Sequence, residues 1–304
     1  MNPMGYHMGN VVLHTINVIL IYFFILLLFR CCDRHKKQHN RNQITHIGLA
    51  LLTCMFFAVH PIASEVVNVI SYREDLLAMA FLITSFLFFL RCKEKAFQQI
   101  PLNTSLEPGE PGGFALSGPF YKSAVFLYTS AMAAYFFALF SEESAIVLPA
   151  LVFSFDLLLN ARIKVNGRSS LHTICKTVLE IMRSPFLLGY IGVSIVYLVV
   201  RFFVLQNPHE KIVYPAGSFF VNMLTATKVL GDYIANIFLP LNLHADYHVL
   251  YLKTPLALSF VIPLFILISI AIIAIRLGKK QEWDKGDYKG VSLCPPVKKN
   301  VFPA

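Results

Sequence analysis

The stretch that decides the reading of this chain is His60–Ala80, H-P-I-A-S-E-V-V-N-V-I-S-Y-R-E-D-L-L-A-M-A. One apolar run ends at Val59 and another opens at Leu76. Between them stand Glu65, Asn68, Arg73, Glu74 and Asp75, more charge than a short connection between two apolar helices needs. Pro61 suits the first turn of a helix, where its missing N–H is not required. A helix over Pro61–Ser71 puts Glu65, Asn68 and Tyr72 on one face at i, i+3 and i+7, with Ile62, Val66, Val69 and Ile70 mostly elsewhere. Such a helix lies in a membrane interface, apolar side in lipid and polar side toward a cavity. A solvated hairpin carrying an Arg–Glu surface pair satisfies the same residues.

Composition supplies the membrane. Of 304 residues, 56% are hydrophobic and 14% charged, and the mean hydropathy is +0.62. Globular domains carry about 25% charged residues, so the chain reads as an all-α, polytopic integral membrane protein. Seven apolar spans are expected, at 11–29, 44–59, 76–90, 123–140, 145–159, 185–204 and 256–275, with a mixed segment at 206–254 and a polar tail at 278–304. Neither an internal repeat nor a boundary between soluble domains is visible, and the N-terminus lacks the basic start and small-residue cleavage site of a signal peptide.

The net charge of +9 is a matter of topology rather than of nucleic acid. Lys and Arg crowd the loops around 30–41, 91–122 and 160–184 and the tail beyond Arg276, whereas the opposite side holds Arg73, Arg201, Lys211, Lys228 and Lys253. The positive-inside rule then sets the N-terminus outside, luminal or periplasmic, and the C-terminus in the cytoplasm. This requires Phe219–Leu239, which carries Asn222, Lys228, Asp232 and Asn236, to be re-entrant or interfacial on the outer side, since a charge at mid-bilayer costs roughly 2.5–3.5 kcal/mol. Cys31, Cys32, Cys92, Cys175 and Cys294 fall inside and Cys54 within a span, so no disulfide is expected. Cys31-Cys32 beside basic residues fits either a palmitoylation site or inert thiols. The sequon Asn103-Thr104-Ser105 falls on the cytoplasmic side and is expected to stay unmodified.

The acidic residues of interest, Glu65, Glu74, Asp75, Glu142, Glu143, Glu210, Asp232 and Asp246, all fall outside. An outward cavity lined by carboxylates and a few cations suits transfer of a group from a lipid phosphate to an outside acceptor. Arg73 offers a fork of N–H donors to the phosphate, and a carboxylate serves as general base toward an acceptor hydroxyl. A structural pair of Arg73 with Glu65 or Glu143 is the alternative.

Four stretches carry a family resemblance: Phe57–Ile62 with Glu65–Val67 and Tyr72–Ala78; Asn2–His14; Leu139–Pro149; and Pro240–Tyr247 preceded by Gln206-Asn207-Pro208. Together they resemble the transmembrane and tetratricopeptide-repeat (TMTC-type) O-mannosyltransferases and their bacterial GT-C relatives, in the central membrane portion. At Ser141-Glu142-Glu143 the family has Ser-Lys-Glu, so Glu142 reverses a charge. The resemblance implies a partial GT-C helix bundle with interfacial helices on the outer side. It implies transfer of mannose from a polyprenyl- or dolichyl-phosphate donor to Ser/Thr of an acceptor protein, in the endoplasmic reticulum of a eukaryote or the inner membrane of a bacterium, with no metal. Glu65 and Asp246 are the candidate catalytic carboxylates, and His60, Arg73, Glu74, Glu143 and Tyr247 the candidate lipid-phosphate and substrate contacts. The family's own catalytic acid lies in a loop that maps before Met1, so weak binding of the lipid-linked sugar with little transfer is expected. A non-catalytic lipid-phosphate-binding or scaffold subunit, paired with a partner that supplies the missing segments, is the second reading. A transporter is disfavoured, since the chain lacks an inverted repeat and, apart from Asp156, a charge within a span.

Overall fold

The computed structural model describes residues 3–33, 43–98, 119–164, 178–205, 217–240 and 251–280. They form α1 (Pro3–Asp33), α2 (Gln43–Val59), α3 (Pro61–Asn68), α4 (Arg73–Gln98), α5 (Pro119–Ser141), α6 (Leu148–Lys164), α7 (Pro185–Val199), α8 (Phe219–Phe238) and α9 (Leu258–Lys280). Short 3-10 turns at Ile70–Tyr72 and Glu143–Val147 lead into α4 and α6. A π-turn at Val200–Val204 ends α7. The described residues contain no strand.

The protein is an all-α polytopic membrane protein. Among the described residues four helical segments are long and apolar enough to cross a bilayer: Met4–Cys31, Arg73–Lys95, Lys122–Ser141 and Pro185–Val204. α2 and α3 together, bent by 55° at His60, make a fifth if they are one broken span. α6 overlaps the stretch expected at 145–159 and α9 the one at 256–275, Leu258–Ser269 being a shorter apolar helix. α8, with Lys228 and Asp232 along it, is not among the spans.

α4 and α5 form the centre, with α1 against α4 and α7 against α5. Small residues permit this: Ala131, Ala134 and Ala138 recur along α5 and are buried, so the backbones approach closely. Phe86 and Phe89 of α4 meet Phe24 of α1, Phe155 of α6 and Phe186 edge-on at centroid distances of 5.1–6.0 Å, the geometry that ring quadrupoles favour. Outward faces stay apolar, as at Leu52 and Phe126, each 65% exposed; that is a lipid-facing surface rather than a water-facing one.

Polar groups inside the bundle are paired, as a low-dielectric interior demands. Ser85 Oγ donates to Ala131 O at 2.7 Å and lies 3.0 Å from Tyr190 Oη; Tyr135 Oη lies 2.7 Å from Ser194 Oγ. Lys93 of α4 and Asp156 of α6, both buried, pair at 3.1 Å, with the ammonium 5.4 Å from the centre of the Phe89 ring. Among the described residues one buried side-chain atom has no hydrogen bond, Asn17 Oδ1.

Candidate functional site at the hairpin end

The hairpin differs from its sequence-based expectation. The helix that opens at Pro61 stops at Asn68, not Ser71, because Val69 takes an extended conformation (φ −88°, ψ 124°). Tyr72 therefore leaves the face shared by Glu65 and Asn68. Arg73, Glu74 and Asp75 are not loop residues but the first turn of α4. Glu74 and Asp75 suit that position, since acids are favoured at a helix N-terminus. A cation is not, and Arg73 is held there by tertiary partners.

Those partners come from α1. Arg73 Nε donates to Asn10 Oδ1 at 3.3 Å and Nη2 donates to Tyr6 O at 3.1 Å. The guanidinium carbon lies 5.2 Å from the centre of the Tyr6 ring, within cation–π range. Gly9 makes room: a Cβ there would stand 3.1 Å from Arg73 Nη2. The same Asn10, fully buried, donates from Nδ2 to Val67 O at 3.2 Å and Val69 O at 3.1 Å. Val67 O lies in the last turn of α3, where carbonyls lack a partner within the helix; Val69 O, just past its end, also accepts from Tyr72 N–H at 3.3 Å.

α1 continues this contact along its length. His14 Nε2 lies 3.3 Å from Ala58 O, and Asn17 Nδ2 donates to Leu76 O at 3.0 Å. Asn10, His14 and Asn17 are spaced i, i+4 and i+7, one helical face, and they grip the backbone on both sides of the hairpin. Asn17 had no part in the sequence-based site, and Asn10 and His14 entered only as letters of a family stretch. Their signal was present: three polar residues at helical spacing within an apolar span.

His60 caps α3. Its Nδ1 accepts from Ile62 N–H at 3.2 Å, so the ring proton sits on Nε2 and is donated to Ile237 O at 3.0 Å. That second bond reaches the end of α8. The Glu65 and Asp75 side chains are half-buried and Glu74 is exposed. Glu143 pairs with Arg201, which also donates to Tyr197 Oη at 2.7 Å. The Arg73–Glu65 and Arg73–Glu143 pairs that the sequence allowed do not occur. Among the described residues Arg73 meets neutral acceptors only, whereas Arg201 and Lys228 each have a carboxylate partner.

The structure therefore gathers His60, Glu65, Arg73, Glu74 and Glu143 at one end of the bundle. This follows from the antiparallel run of α4 and α5, which sets the start of one beside the end of the other. Asp246 and Tyr247 lie outside the described residues. Among the described residues no group of three or more His, Cys, Asp or Glu side chains is placed to hold a metal ion.

No family model matches the chain and no solved structure matches it. Curated proteins do. Over 135 residues, 43% of this chain, it is 33% identical to human Protein O-mannosyl-transferase TMTC1, and the match spans 12% of that protein's length. Mouse TMTC1 is 34% identical over 91 residues, 30% of this chain and 8% of that protein. Human Protein O-mannosyl-transferase TMTC4 is 31% identical over 101 residues, 32% of this chain and 12% of that protein. Over part of its length, then, this membrane chain is similar to the protein O-mannosyl-transferases TMTC1 and TMTC4, a likeness that supports a glycosyltransferase-like role.

Proposed function

We propose that this chain takes part in membrane glycosyl transfer of the GT-C type, moving a sugar from a polyprenyl or dolichyl phosphate to Ser/Thr hydroxyls of an acceptor protein. Mannose is the sugar proposed, a choice supported by the relatives' names as protein O-mannosyl-transferases. The hairpin end faces the lumen of the endoplasmic reticulum, or the periplasm in a bacterium.

One observation carries the reading: among the described residues the Arg73 guanidinium at the hairpin end is held by neutral acceptors and meets no carboxylate. Asn10 and Tyr6 orient the guanidinium through Nε and Nη2, which leaves Nη1 for an incoming anion. A phosphate is recognised by such a planar donor group better than by an ammonium. The hairpin also supplies carboxylates on the same short segment. Glu65, half-buried, is the candidate general base toward the acceptor hydroxyl. Asp246 is a second candidate by resemblance.

The test uses the full chain in nanodiscs with radiolabelled dolichyl-phosphate mannose and a Ser/Thr-rich acceptor peptide. Donor binding that weakens in Arg73→Lys, with transfer abolished in Glu65→Gln, supports the proposal. Binding without transfer, still dependent on Arg73, supports the non-catalytic lipid-phosphate-binding subunit instead. Donor binding unchanged in Arg73→Gln refutes both.

A further inference from the structure

Arg201 sits where α7 leaves the α-helical repeat. The π-turn at Val200–Val204 closes with Leu205 N–H donating to Val200 O at 2.9 Å. Such single turns insert a residue and re-aim side chains, and they recur at functional sites. Here Arg201 Nη1 donates to Tyr197 Oη at 2.7 Å, and the guanidinium carbon lies 6.0 Å from that ring's centre. Tyr197 is itself fixed: it is 6% exposed and packs edge-on against Phe140 at 5.4 Å.

The guanidinium is thus held by a neutral, buried partner. Its other contact, the Glu143 carboxylate, is of a different kind. The Arg201 side chain is 28% exposed and that of Glu143 58%, so the ion pair is solvent-screened and contributes little. Glu143 is the first residue of a 3-10 turn, and its neighbour Glu142 adds a second negative charge. Nη2 and Nε of Arg201 have no partner among the described residues. If Glu143 swung away, Tyr197 would keep the guanidinium in place, with a fork of donors open toward the same end of the bundle as Arg73.

We propose that Arg201 is a second phosphate-binding group, and that Glu143 fills it as a displaceable carboxylate until a lipid-linked phosphate enters. This deepens the function proposed above and rests on it for the identity of the phosphate as a lipid donor's. Glu143 becomes a competitor of the ligand rather than a contact for it. A phosphate group carries at least as much charge as the carboxylate it replaces and offers oxygens in the spacing a guanidinium fork matches.

The experiment measures binding of dolichyl phosphate to the full chain in phosphatidylcholine nanodiscs, with inorganic phosphate as a parallel probe. Glu143→Gln is expected to tighten dolichyl phosphate binding about two- to fivefold, the reach of an exposed ion pair. Arg201→Gln is expected to weaken it about tenfold or more, and in the double variant the gain from Glu143→Gln should vanish. A gain of affinity cannot come from misfolding, so Glu143→Gln decides even if Arg201→Gln folds poorly. Unchanged or weaker binding in Glu143→Gln overturns the proposal. If Arg73→Gln still abolishes binding in that case, the function proposed above stands without it. Inorganic phosphate bound as tightly as dolichyl phosphate overturns the assignment to a lipid donor.

Discussion

The Arg73 guanidinium donates from Nε to the Oδ1 of Asn10, 63 residues earlier in the chain, at 3.3 Å. The other end of the same amide is spent on Val67 O and Val69 O. One buried side chain therefore closes the open carbonyl end of α3 and orients the cation that opens α4. Asn10→Ala removes both services. It is expected to lower stability by roughly 1–3 kcal/mol, the cost of leaving buried polar groups unpaired. It should also weaken donor binding through a disordered Arg73. Thermal unfolding in detergent, read beside dolichyl phosphate affinity, checks both; a wild-type melting curve would show that water replaces Asn10 at no cost.

His60 joins two structures through two ring nitrogens, and the variants separate them. His60→Asn keeps a cap for the Ile62 N–H but is too short for Ile237 O; His60→Ala loses both. Loss of the cap costs about 1 kcal/mol. His60→Ala is thus expected to be the less stable of the two, while both should free the end of α8. Hydrogen exchange at the amides of 233–238 reads the second effect, and it should rise equally in the two variants.

Lys93 and Asp156, both buried, pair with each other at 3.1 Å inside the bundle. Lys93→Met takes a charge partner from a buried carboxylate and should destabilise, by up to roughly 3–5 kcal/mol. The double change Lys93→Met with Asp156→Leu should restore most of that loss, because an apolar pair of similar volume needs no desolvation. Chemical unfolding of the three variants in detergent tests this; a double variant no better than the single would locate the role of the pair elsewhere.

α8 and α9 touch at Gly231, where a Cβ would stand 2.4 Å from Cβ and Cγ of Pro263. The proline ring cannot swing aside, so Gly231→Ala must push the helices apart. Overpacking of this kind costs about 1–3 kcal/mol. Gly192→Ala, with nothing within 4 Å of the added methyl, is the control and should be neutral or slightly stabilising. Equal melting temperatures for the two variants would contradict the close crossing.

The Lys/Arg asymmetry predicts an N-terminus outside and a C-terminus inside, and direct labelling tests it. On a background lacking the native cysteines, Ser218→Cys should react with an impermeant thiol reagent from the luminal or periplasmic side. Ser117→Cys should react only after permeabilisation. The reverse pattern would invert the topology and put the hairpin end in the cytoplasm.

Helix content, membrane class and the special status of residues 60–75 were legible in the sequence, because they rest on local signals. Runs of apolar residues set where helices lie, and charge concentrated between two such runs marks a hairpin whatever the rest of the chain does. Four of the seven expected spans, 11–29, 44–59, 76–90 and 123–140, lie within a helix, and the other three overlap one but run past its end: into the 3-10 turn before α6, the π-turn after α7 and the residues ahead of α9. The boundaries did less well. Arg73 reads as a hairpin residue because the apolar run opens only at Leu76, and Asn10 and Tyr6, packed from α1, make its place at the start of α4 tenable.

Partner choice was decided by tertiary structure alone. By local spacing Arg73 has Glu65, Glu74 and Asp75 within reach, yet it turns to neutral groups of α1. Glu143 pairs with Arg201, Lys93 with Asp156, and His60 reaches Ile237 across 177 positions. Hydropathy and periodicity carry no information on which helices become neighbours. That depends on close packing of small residues such as Ala131 and Ala138, and on the demand that every buried polar group find a partner where no water is present.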